Sequence, residues 1–115
     1  MTNENDWIKG EGYRKKVLYD EGDLSSEGVR IQYVEVDAGD RVSPHYHKAQ
    51  TEVYNVQRGK AILGIDDVDY EVEKGDTLIC KSGQVHYVIN DFSEKFRLLV
   101  VKTNYKEGDS YWEVE

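Results

Sequence analysis

The chain has 115 residues, with 23 acidic against 15 basic side chains and a formal net charge of -8. That length is one domain, able to bury roughly two thirds of its unfolded surface in a single modest core. The acidic balance repels phosphate backbones and anionic membranes, so neither a nucleic acid nor a membrane is an expected partner.

One cysteine, Cys80, excludes an intrachain disulfide and fits a reducing compartment. The start, Met1 to Asp6, is polar and acidic, without the apolar stretch of a signal peptide. A cytoplasmic location is the expectation. The longest aliphatic run, Leu98-Leu99-Val100-Val101, is a strand core far too short to cross a bilayer.

Residues 1–11 are expected as a flexible N-terminal arm, with residues 12–115 forming one domain. Trp7-Ile8 is the arm's apolar piece and a docking candidate, with a partner subunit as one place for it. Tyr13 to Tyr19 and Val29 to Val36 are rich in Val, Ile and Tyr and read as strands. Between them, Asp20 to Gly28 reads as a loop. Strands follow at Val42 to His47, Glu52 to Val56 and Lys60 to Ile65. Asp66-Asp67 makes a tight turn into Val68 to Val72. Glu73 to Asp76 turns again into Thr77 to Cys80. Val85 to Ile89, Phe96 to Lys102 and Ser110 to Val114 complete the set. Short strands with frequent turns and no long amphipathic helix predict an all-β sandwich or barrel of jelly-roll type. A small barrel with a wet interior has little dry core, so a homodimer joined through an edge strand is expected.

All three histidines, His45, His47 and His86, lie in two glycine-punctuated segments. Two histidines separated by one residue face the same side only on a strand. Pro44, directly before His45, supports a strand there rather than a helix. With Glu52 on the next strand and His86 after the turn at Lys81-Ser82-Gly83, the set offers three imidazoles and one carboxylate. Such donors suit one divalent first-row metal: iron, manganese, nickel, cobalt or zinc.

These residues carry a resemblance to the cupin superfamily. Its first motif, G(X)5HXH(X)3-4E(X)6G, is matched at every fixed position between Gly39 and Gly59. Its second motif, G(X)5PXG(X)2H(X)3N, is matched by Gly75, Gly83, His86 and Asn90, with Lys81 where the family has proline. The resemblance implies a double-stranded β-helix barrel, metal ligands His45, His47, Glu52 and His86, turn glycines at positive φ, and a structural Asn90. Lys81 removes the preset φ of the turn.

Strand parity extends the site. Tyr54 and Val56 should face inward with Glu52, and Val88 and Asn90 with His86. Ser43 should face inward with His45 and His47, and Tyr46 away. Tyr54 is a candidate donor or acid beside the metal, or a packed core residue with its hydroxyl bonded. Gln32 and Arg41 are candidates for substrate contact, and Cys80 for a buried filler or a reactive thiol. Tyr111-Trp112 reads as a docking patch. Fold does not fix function. The resemblance implies a metal-dependent enzyme acting on a small molecule, with a dioxygenase placed ahead of an isomerase or lyase. Glu52 and Tyr54 are its candidate catalytic groups. The alternatives are a non-catalytic binding or sensing module and a purely structural metal.

Overall fold

The computed structural model describes residues 6–113. Within them lie eleven strands: β1 (Ile8–Lys9), β2 (Arg14–Tyr19), β3 (Arg30–Val36), β4 (Arg41–Tyr46), β5 (Thr51–Arg58), β6 (Lys60–Ile65), β7 (Val68–Glu73), β8 (Thr77–Cys80), β9 (His86–Ile89), β10 (Phe96–Thr103) and β11 (Tyr111–Trp112). They form two antiparallel sheets, ordered β1-β2-β3-β10-β5-β8 and β11-β4-β9-β6-β7. This is the expected jelly-roll sandwich.

Alternation in β10 shows how sequence sets the layers. Phe96, Leu98, Val100 and Lys102 are buried, while Arg97, Leu99 and Val101 between them are only half-buried. Register then sorts the interior along the strands. At one end Phe96 pairs with Val36, and Leu98 with Val34 and Val56. At the other end Lys102 pairs with Arg30 and Glu52. The apolar end is the dry core, where each fully buried Val, Leu or Phe contributes about 2 kcal/mol. The polar end carries the site.

On the outer face, Glu35 is a buried carboxylate. Arg14 reaches it at 2.7 Å from β2, and Arg97 at 2.5 Å from β10. Burial pushes its pKa up, but the Arg97 and Arg14 hydrogen bonds outweigh that and hold it below the usual range. Trp7 lies over Arg14, 5.6 Å from the guanidinium, and near Arg97. Trp7 therefore docks on its own chain, and Ile8-Lys9 pairs with β2. The rest of the expected arm, residues 1–5, and Val114 of the last expected strand lie outside the described residues.

Turn chemistry holds as read, with two additions. Asp66 and Asp67 both have positive φ, as a two-residue hairpin turn requires. Asp20 to Gly28 contains one helical turn, α1 (Glu21–Leu24), closed by reciprocal bonds between Asp20 and Asp23. Gly59 has φ +77°, and a Cβ there would meet the Lys95 carbonyl at 2.3 Å. Gly39, Gly75 and Gly83 also have positive φ. At the turn where the family has proline, the Lys81 N–H donates to Gln84 Oε1 at 2.9 Å. Proline has no such N–H, so this hydrogen bond replaces the preset φ. Among the described residues no helix is long and apolar enough to cross a membrane.

Candidate metal centre

The two sequence motifs are stitched together by backbone bonds. Gly39 donates to the Asn90 carbonyl at 2.7 Å, Asn90 to the Asp40 carbonyl at 3.0 Å, and Gly83 to the His47 carbonyl at 2.6 Å. The Asn90 side chain donates to the Val36 and Glu94 carbonyls, a structural role.

A bulge aims the first histidine. Val42 pairs with Val88 and His45 with His86, so β4 carries one residue more than β9 over the same span. The extra residue resets parity. Val42 faces inward, and so does His45, while Ser43 is exposed. Ser43 was expected inside; the bulge turns it out, and its carbonyl instead accepts from His45 Nδ1 at 2.9 Å. Tyr46 faces away and stacks on Tyr111. His47 lies just past the strand end and is buried.

Ligand nitrogens of His45, His47 and His86 all lie within 4.8 Å of one another. Each ring has its Nδ1 against a backbone carbonyl: Ser43 at 2.9 Å, Asp109 at 2.7 Å and Gln84 at 3.3 Å. A carbonyl can only accept, so Nδ1 carries the proton and Nε2 of a neutral ring bears a bare lone pair. The Nε2 atoms of His47 and His86 stand 3.5 and 3.4 Å from Glu52 Oε1. Lone pairs facing a carboxylate repel unless a cation lies among them. Ring orientation by second-nitrogen bonds is also how metal-bound histidines are held. The donor set therefore fits a divalent metal.

Glu52 is buried, and its carboxylate accepts from the Tyr54 hydroxyl at 2.5 Å and the Gln50 amide at 3.3 Å. Lys102 Nζ lies 3.7 Å from Oε2. Burial raises the Glu52 pKa; where the His47 and His86 rings also carry a proton on Nε2, their hydrogen bonds and the Lys102 charge outweigh burial and hold the carboxyl well below its usual range. Burial, and then the Glu52 charge, push the Tyr54 phenol well above its ordinary value. Burial and neighbouring His86 lower His45 to about 4. Burial lowers the Lys102 pKa, partly offset by Glu52.

The cavity above these groups has a volume of about 630 Å³ including its open mouth. Tyr54 and Val88 face it as parity requires, and Val56 and Asn90 are buried. Gln32 lines the cavity, whereas Arg41 points out to Asp91 at 3.9 Å. Cys80 is buried, and burial and the Glu52 charge push its thiol up to about 12, which is the filler role rather than the reactive one. Trp112, expected with Tyr111 as a docking patch, is 43% exposed and also has a place at the site. It stacks on His45 with centroids 4.3 Å apart and forms part of the cavity wall, because β11 pairs with β4.

Three further residues were not singled out from sequence. Asp109 accepts from the backbone N–H groups of Lys48, Ala49 and Gln50 at 2.9, 2.9 and 3.1 Å. Lys102 and Lys15 both line the cavity. Lys102 had a signal, as a charge in the inward phase of an alternating strand. Asp109 had none, because its partners lie 59 to 61 residues away.

Comparison with solved structures shows the same fold. The chain is similar to the polyketide cyclase RemF from Streptomyces resistomycificus at 19% identity and TM-score 0.79, covering 100% of this chain and 85% of that one. It is similar to a predicted oxalate decarboxylase from Thermotoga maritima at 18% identity and TM-score 0.75, covering 84% and 89%. It is also similar to a cupin sugar phosphate isomerase from Silicibacter pomeroyi at 22% identity and TM-score 0.73, covering 90% and 67%. At these identities the likeness concerns fold alone. Comparison with curated proteins finds no match. The cupin domain profile matches residues 32–102 and so spans β3 through most of β10, with every histidine and Glu52, and the chain belongs to the cupin family.

Proposed function

We propose that this cupin is a metal-dependent enzyme acting on a small organic molecule. His45, His47, His86 and Glu52 would hold one divalent first-row metal. The observation that carries this reading is the convergence of three imidazole Nε2 lone pairs on a cavity where Glu52 faces two of them. When bound, the metal would polarise a substrate carbonyl or hydroxyl, or serve dioxygen chemistry.

The chain's own groups divide the remaining work. Tyr54 stays protonated at neutral pH, so its hydroxyl orients Glu52 rather than delivering a proton. Glu52, on leaving the metal, would accept a proton from a substrate as a free carboxylate can. Leu63, Leu98 and Val100 provide apolar wall that limits water. We favour a dioxygenase over an isomerase or lyase, because a six-coordinate metal with these four ligands leaves two positions, enough for substrate and dioxygen.

Iron-loaded protein should consume oxygen with a member of a panel of diketones, flavonols, thiols and hydroxy acids. Turnover without oxygen assigns an isomerase or lyase instead. Metal at one equivalent should be lost in His47→Ala; full occupancy in that variant sinks the site. Tight binding of a panel compound without turnover assigns a non-catalytic binding module.

A further inference from the structure

The cavity gathers positive charge inside a chain whose net charge is -8. Lys102 is 7% exposed, and at 3.7 Å its ion pair with Glu52 is too long for a hydrogen bond. Lys15 lines the same cavity from β2. Arg30 pairs with Lys102 across β3 and β10, its guanidinium 3.9 Å from the Tyr105 ring centroid. Among the described residues, Glu52 is the only carboxylate lining the cavity, and it already faces His47, His86 and Tyr54. Two ammonium groups thus outnumber one committed carboxylate, and a divalent metal would widen the excess.

A second observation is independent of charge. Gln32 is 3% exposed and lines the cavity between Lys15 and Lys102, and its Oε1 has no hydrogen-bond partner. A buried carbonyl oxygen left unpaired is costly, so such an atom marks where a ligand donor belongs.

We infer that the cavity takes a small hydroxy-carboxylate, whose carboxylate lies against Lys102 and Lys15 and whose hydroxyl donates to Gln32 Oε1. This deepens the metal-centre reading, on which it rests for the position of the reacting end. The two lysines and Gln32 come from the larger sheet, as does Glu52, and His45 and His86 from the smaller one, so the anion-recognising groups would lie beside Glu52 and across the cavity from those two imidazoles.

Calorimetric titration of cobalt(II)-loaded protein with lactate, lactamide and propionate tests the inference. Lactate should bind at least about tenfold tighter than lactamide, which lacks the charge, and than propionate, which lacks the hydroxyl. Lys102→Met and Lys15→Met should each lose about tenfold for lactate and less for lactamide, and Lys15→Met, which has no ion pair with a metal ligand, should keep one cobalt with its visible spectrum. Gln32→Leu should bring lactate down to the level of propionate. Equal binding of lactate and lactamide, binding of neither, or wild-type lactate affinity in Lys102→Met overturns the inference. Absence of stoichiometric cobalt in the wild type overturns the metal reading instead. The lactate and lactamide comparison then runs on metal-free protein, where the lysines and Gln32 still decide it.

Discussion

Asp109→Ala should loosen the metal centre through a loop that touches no substrate. The Asp109 carboxylate accepts three backbone N–H groups, and its own carbonyl accepts from His47 Nδ1 at 2.7 Å. Truncation leaves the Gln50 N–H buried without a partner, at a cost of about 2 kcal/mol. The Lys48 and Ala49 donors are only part-buried and regain water, so together they add about 1 kcal/mol. A loss of about 3 kcal/mol lowers Tm by about 12 °C for a chain of this size. Because the loop joins His47 to Glu52, metal affinity should also fall about tenfold. Asp109→Asn keeps one acceptor oxygen and should fall between wild type and alanine. The pH dependence has a definite sign. Burial raises the Asp109 pKa, but the N–H groups of Ala49, Lys48 and Gln50 outweigh it and hold it below its ordinary value. Its stabilisation is therefore complete above the unfolded pKa near 3.9 and is lost as pH falls through the lower folded value. The gap in Tm between wild type and Asp109→Ala, followed by calorimetry from pH 7 downward, should narrow only below about pH 4. A Tm change under about 4 °C at pH 7 would refute the accounting.

Two more outcomes follow from the cavity. Tyr54→Phe removes the 2.5 Å hydrogen bond to Glu52 Oε1 and should weaken metal binding about tenfold in a chelator competition. Unchanged affinity would reduce Tyr54 to core packing. Cys80 should resist a thiol reagent at pH 8 in the native protein and react once the chain is denatured, because burial and the Glu52 charge keep it protonated. Rapid native labelling would show that this side of the sheet opens.

The electrostatics explain why the site needs two sheets. Glu52 and Lys102 reach it from the same face of the larger sheet, and His45 and His86 from β4 and β9 of the smaller one. Neither sheet alone assembles both the lone pairs and the carboxylate. Trp112, 43% exposed and stacked on His45, completes the cavity wall on the side of the smaller sheet.

By itself the sequence determined the strand pattern, the hairpin at Asp66-Asp67, the inward phase of Glu52, Tyr54 and Val56, and which histidines meet. These depend on period-2 alternation and turn chemistry, which act over a few residues. Tertiary structure alone decided the bulge that turned Ser43 out while keeping His45 in, since a register shift is a property of the pair of strands. It also decided that Trp112 covers His45 and that Asp109 holds the loop before Glu52. Those contacts join segments some sixty residues apart, and no local periodicity encodes which distant strand end closes over a site.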